Sequence, residues 1–229
     1  MPDTAFLPSR DGLAFTNDWP SEPAIEVEVP LVGTVPIGNA SNGLCGGMVF
    51  AALDGFGAGG PPPSDPRPAH GTPMFKYIVR RLIDSWDVPD GVLKYYRWMN
   101  TPDHDVDIWI ATRRGVAWRT ISDEWPRVKA ELDGGRPCPL GLVTVQSSNP
   151  VDLGQNHQVL AYGYSLDGSG LTIKVYDPNT DRANGGDDVV ISASTADPEH
   201  SAQITHNVNI GHPVRGFFRV GYQSSAPPR

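Results

Sequence analysis

Three short stretches of the chain hold the residue types that make and break acyl bonds. The first is "NASNGLCGGM", residues 39–48, where Cys45 precedes two glycines. Counted from Cys45, the apolar residues Met48, Val49, Ala52, Leu53 and Phe56 fall at i+3, i+4, i+7, i+8 and i+11, which predicts a helix with the cysteine heading its buried stripe. With Asn42 as cap, Cys45 lies in the first turn, where unpaired N–H groups and the positive end of the helix dipole favour a thiolate. Gly46 and Gly47 each weaken a helix by about 1 kcal/mol relative to alanine, so their presence says that something approaches the backbone closely there.

The second stretch, "HQVLAYGY", opens a strand with His157, and the third, "VYDPN", closes the return strand with Asp177 and then Asn179. An imidazole stabilises a neighbouring thiolate as its counter-ion, and a carboxylate orients that imidazole. Val159, Ala161 and Gly163 alternate on the first strand, and Leu171, Ile173 and Val175 on the second, with Thr172, Lys174 and Tyr176 turned outward. If the two apolar sets share one face, His157 and Asp177 share it too. That pairing needs an odd-length loop or a bulge at "DGSG". Asn179 has the same parity as Asp177 and competes with it as the partner of His157.

These residues must be positioned by elements whose order is legible in the pattern. Residues 1–40 read as an extended arm, with "AIEVEVPLVG" as one edge strand packed on the body. The half from 41 to 135 is mainly helical. A second helix starts at Thr72 with Pro73 in its first turn and buries Phe75, Ile78, Leu82 and Trp86. Residues 92–120 read as mixed, because "VLKYYRWM" fits a strand or a helix turn equally and "NTPDHDVD" is a loop; a third helix begins near Ser122 or Asp123, buries Trp125, Val128 and Leu132, and stops at Gly134 and Gly135. The half from 136 to 223 is a sheet: "CPLGLVTV" as a central strand, the hairpin around "DGSG", and "VRGFFRVGY" as the last strand. Helices first and antiparallel strands after define an α+β fold in a single domain.

Composition narrows the function. With 18 basic against 26 acidic residues, net charge −8 and no Lys/Arg run, neither a nucleic-acid backbone nor an anionic membrane is the expected partner. No stretch approaches 18 consecutive apolar residues, and the N-terminus lacks the pattern of a signal peptide, so the expectation is a soluble, cytoplasmic chain. Two free thiols are expected rather than a Cys45–Cys138 bridge, with Cys138 an inert core residue. His70, His104, His200, His206 and His212 read as solvent-facing or structural. "DPNTDRANGGDD" has Arg182 where an EF-hand loop needs glycine, and no zinc spacing is present, so neither a metal nor a cofactor is expected.

In order and spacing, "NASNGLCGGM", "HQVLAYGY" and "VYDPN" resemble the papain-like cysteine peptidases, in particular the bacterial branch that includes the bacteriocin-leader-processing (double-glycine) peptidases. The segment "EWPRVKAELDGGRPCPLGLVTV" resembles the helix and strand that precede the histidine in that branch. The resemblance implies a central helix opened by the cysteine and followed by an antiparallel sheet. It also implies Cys45 as nucleophile, His157 as general base, Asp177 or Asn179 as its orienting group, and Asn39 as oxyanion donor in place of the family's Gln. Gly46, Gly47 and Asn156 stand beside these residues as substrate contacts. The implied reaction is hydrolysis of a peptide, amide or thioester bond through an acyl-enzyme. The alternatives are an acyltransferase or deamidase with the same triad, or a catalytically silent module that binds a peptide or metabolite.

Overall fold

A computed structural model describes residues 3–19, 25–29, 33–37, 44–61, 66–87 and 90–228. Short helix α1 (Pro8–Asp11) lies in the N-terminal arm, and strands β1 (Ile25–Val29) and β2 (Gly33–Ile37) pair antiparallel as a hairpin. The single edge strand expected there is therefore a two-stranded unit separate from the main sheet. Helices α2 (Cys45–Gly57), α3 (Pro73–Ser85) and α4 (Asp90–Met99) follow, then a small hairpin of β3 (Val106–Ile108) and β4 (Ala111–Arg113). Residues 116–133 form one continuous helical run: α5 (Val116–Trp118), a π-helical segment Arg119–Glu124, and α6 (Trp125–Asp133).

That run starts about six residues before the position expected from the sequence. Pro126 has no N–H to give and would break a regular helix at mid-length. The wide π turn in front of it absorbs the irregularity, and the Trp125 N–H reaches back five residues to the Thr120 carbonyl. α3 begins as expected, with the Thr72 hydroxyl accepting from the Phe75 N–H at 3.3 Å and Pro73 in the first turn.

The second half is a six-stranded antiparallel sheet in the order β10-β5-β6-β7-β8-β9, built from β5 (Cys138–Val143), β6 (His157–Asp167), β7 (Gly170–Tyr176), β8 (Val190–Ser194), β9 (Thr205–His206) and β10 (Gly216–Arg219). The α+β class expected from the order of elements is the class observed. Both faces of the sheet are covered, which corrects the assumption of a single core face. Leu160, Tyr162 and Tyr176 pack with α2, α3, α4 and the arm, whereas Val159, Ala161, Ile173 and Val175 pack with Trp125, Val128 and Leu132 of α6. Tyr176, expected to point outward, is buried.

Burial on both faces also changes the reading of α2. From Cys45 to Gly55 every residue is buried, so it is a central helix apolar around its circumference rather than an amphipathic one. Its small residues make this possible. A Cβ on Gly47 would lie 2.1 Å from the Ile78 carbonyl oxygen of α3, and one on Gly46 would lie 2.3 Å from Ser85 Oγ and 2.7 Å from Gln158 Oε1. The single acid within this helix, Asp54, is satisfied by the Arg81 guanidinium at 2.7 Å, the hydroxyls of Tyr77 and Tyr222, and the Ser225 N–H. A buried carboxylate is tolerated only with such partners. Among the described residues, no helix is long and apolar enough to cross a membrane.

Candidate active site

The β6–β7 hairpin brings the imidazole and the carboxylate together, by a device other than the one expected. Its loop is two residues long, with Gly168 at φ +58°, and pairing runs from Asp167↔Gly170 to Gly163↔Lys174. Continued unchanged, this register would turn His157 and Asp177 to opposite faces. A bulge between Ala161 and Gly163 shifts the pairs to Ala161↔Val175 and Leu160↔Tyr176, and the two residues then share a face. The N-terminal arm occupies the bulge: the Thr4 N–H donates to the Tyr162 carbonyl at 2.8 Å, and Asp3 bridges Gly163, where a Cβ would meet Asp3 Oδ1 at 2.2 Å.

Asp177 is 1% exposed and each of its oxygens accepts two hydrogen bonds. His157 Nε2 at 2.8 Å and the Asn179 N–H at 3.0 Å reach Oδ1; the Thr180 hydroxyl at 2.9 Å and the Asn209 N–H at 2.8 Å reach Oδ2. Burial alone would raise its pKa, but the bonds from His157 and these backbone donors outweigh that and hold it below the ordinary carboxylate value. The ring orientation follows: Nε2 is committed to Asp177, and Nδ1 is the nitrogen left for the thiol.

Cys45 opens α2 and lines one cleft with His157. Burial lowers the pKa of this imidazole, yet the Cys45 thiolate and Asp177 outweigh it and raise it to about 10. His157 is therefore held as an imidazolium at neutral pH, in the cleft that it shares with Cys45. The cleft holds about 260 Å³ and is walled by Asn17, Gly154, Gln155, Asn156, Asn179, Asn209, and the 210–212 turn. On its other side Cys45 borders a small pocket of about 20 Å³, room for about one water, lined by Trp86, Val92, Tyr95, Leu153, Gly154, Asn156 and Gln158. Tyr95 is buried, and burial together with the Cys45 charge keeps its phenol neutral, well above its ordinary pKa.

The remaining site expectations are placed as follows. Asn39 and Asn42 lie outside the described residues. The N-cap of α2 is Leu44, with no side-chain cap of its own, and the Leu44 N–H is held by Asn17 Oδ1 at 3.1 Å. Asn179 is not the partner of His157: its amide donates to the Asn209 carbonyl and accepts from Asn17 Nδ2, both at 3.0 Å. Gly46 and Gly47 face Gln158, Ser85 and α3 inside the protein, so they serve packing of the helix rather than contact with a substrate. Asn156 does border both spaces beside Cys45, with its side chain tied to the Thr144 N–H and the Leu153 carbonyl.

Asn17, Asn209 and His212 were not singled out from the sequence. His212, solvent-facing or structural by its sequence context, is exposed on the cleft wall. Asn17 meets Leu44 and Asn179 across 27 and 162 residues, so no local spacing signals it. Cys138, by contrast, is buried among Leu140 and Leu142, and burial pushes its thiol up to about 12. Neither cysteine is in a disulfide. A larger groove of about 680 Å³ runs along Arg81 and the 221–225 segment, with neither a cysteine nor a histidine in its wall. Compared with protein-family models, with curated proteins and with solved structures, the chain finds no match.

Proposed function

We propose that the chain is a papain-like thiol hydrolase acting on an amide, peptide or thioester carbonyl through Cys45, His157 and Asp177. The observation that carries this reading is the imidazole itself: its Nε2 is fixed by a fully satisfied carboxylate, and its other side meets a thiol at a helix start in an open cleft. The sulfur attacks the carbonyl carbon, and the C–O π pair moves onto oxygen, forming a tetrahedral oxyanion. Donors for that oxyanion are the backbone N–H groups of the first helical turn, which lack intrahelical partners. When the oxyanion collapses, the C–N or C–S bond breaks, and the His157 imidazolium gives its proton to the leaving group. Water then adds to the thioester as His157 takes its proton. Release of the carboxylic acid restores the thiolate and imidazolium. An acceptor amine in place of water gives transfer instead.

Intact-mass measurement with p-nitrophenyl acetate and a panel of acyl thioesters and peptides tests this. The expected result is an acyl adduct that maps to Cys45 in the wild type and is lost in Cys45→Ala and in His157→Gln. Absence of any adduct on folded wild-type protein, together with binding of the same compounds by Cys45→Ala, would leave a binding module instead.

A further inference from the structure

The arm of residues 3–17 crosses the sheet from the bulge to the cleft, and its far end enters the site. Asn17 makes three hydrogen bonds there. Its N–H donates to the Pro178 carbonyl at 2.9 Å, its Nδ2 donates to Asn179 Oδ1 at 3.0 Å, and its Oδ1 accepts from the Leu44 N–H at 3.1 Å. Leu44 immediately precedes Cys45 and caps α2. Asn179 exchanges two bonds with Asn209, whose N–H holds Asp177. One half-buried amide thus joins the start of the cysteine helix to the loop that fixes the carboxylate of His157.

We infer that Asn17 is a positioning residue that sets the separation of Cys45 from the His157–Asp177 pair, an inference that rests on the proposed function above. The physical case is one of matched chemistry. The two halves of the site sit on different elements, α2 and the β6–β7 hairpin, and a 1 Å error in their separation costs on the order of a hundredfold in rate. The bridging group must present an acceptor to a helix N–H and a donor to an amide oxygen at once, which an uncharged carboxamide does. It must also bring no negative charge to the helix start, because an anion there would compete with the Cys45 thiolate for the same positive potential. The first turn of α2 carries no acidic residue. An aspartate at 17 would keep the bond to Leu44 but set its second oxygen against Asn179 Oδ1.

The test separates positioning from folding with two variants and a control. Asn17→Ala loses both side-chain bonds, whereas Asn17→Asp keeps the helix-start bond and the favourable anion there, so its melting temperature should be no lower than that of Asn17→Ala. Both should nevertheless slow p-nitrophenyl acetate acylation of Cys45 by about 10- to 100-fold with little change in KM. Iodoacetamide alkylation of Cys45 at pH 7 should slow in both as well, which reads the geometry even if no acyl donor is accepted. Lys174→Ala removes the exposed contact that anchors Asp3, at the other end of the arm, to β7, and it should leave both rates unchanged. In the double variant Asn17→Ala, Asn179→Ala the loss should be close to that of one single variant, not their product. Wild-type rates in Asn17→Asp overturn the inference, as do losses that simply follow the fall in melting temperature across all three variants. Failure of wild type to acylate while alkylation still depends on Asn17 counts against the hydrolase reading and supports the positioning role of Asn17.

Discussion

Cys45 and Cys138 invite comparison because the chain treats them alike in two respects: each is buried and each is the first residue of a regular element, α2 and β5. They differ in what surrounds the sulfur. Cys138 sits among aliphatic side chains and its thiol meets the Pro139 carbonyl at 3.8 Å, and burial outweighs the Arg219 charge that would favour its thiolate. Cys45 meets a helix start, an imidazole and open space. Burial therefore says little about whether a thiol reacts; the neighbouring charges and access decide it.

The sharpest way to break this contrast is alkylation. At pH 7.5 a thiol with a pKa of about 12 is ionised to roughly 1 part in 30,000, so iodoacetamide should modify Cys45 at least 1,000-fold faster than Cys138. Comparable rates, read by peptide mapping of the native protein, would erase the distinction. Next in size is Asp177→Asn, which removes the negative charge that supports the imidazolium and allows the wrong tautomer of the ring. It should lower acylation by about 10² to 10⁴-fold, with the substrate's dissociation constant nearly unchanged.

The pH dependence of stability sharpens the same comparison. His157 has a folded pKa of about 10 against an unfolded value near 6.5, so its charge stabilises the fold fully below pH 6.5, and this contribution is lost as pH rises through 10. Asp177, held low, contributes above its unfolded value near 3.9 and loses this as pH falls through its folded pKa. Urea titrations between pH 5 and 10 should show wild type losing stability on the alkaline side relative to His157→Gln. In Cys45→Ala that loss should begin at lower pH, because Cys45 no longer raises the His157 pKa. A change of Cys138 to alanine should leave this curve parallel to wild type.

Smaller effects test the packing of the helix that carries the thiol. Gly47→Ala forces a Cβ against the Ile78 carbonyl and should cost about 1 to 3 kcal/mol of stability. Gly57→Ala, where a Cβ meets nothing within 4 Å, should be stabilising by about 0.5 to 1 kcal/mol. Denaturant midpoints measure both. Cys138→Ala, of similar size, should cost about 1 kcal/mol and leave acylation unchanged.

What the sequence by itself determined is what short-range periodicity and residue chemistry encode. Cys45 heads a helix because apolar residues recur at helical spacing behind it, α3 starts at Thr72 and Pro73 because a hydroxyl cap and a missing N–H both suit a first turn, and β6 and β7 alternate around a glycine turn. Residues 92–99 resisted assignment because "VLKYYRWM" fits both periods, and only packing of Val92, Tyr95, Trp98 and Met99 in the core makes it a helix. The tertiary structure alone decided which face of the hairpin His157 occupies, since parity turns on one bulge that the Thr4 N–H and Asp3 fill from the far end of the chain. It also decided the purpose of Gly47 and the choice of Asp177 over Asn179. A glycine records only that something is close, not what, and two hydrogen-bonding side chains of equal parity are separated only by the partners that Asn17 and Asn209 bring from elsewhere. Contacts between residues distant in sequence leave no period to read, and those contacts are what join the thiol to its imidazole.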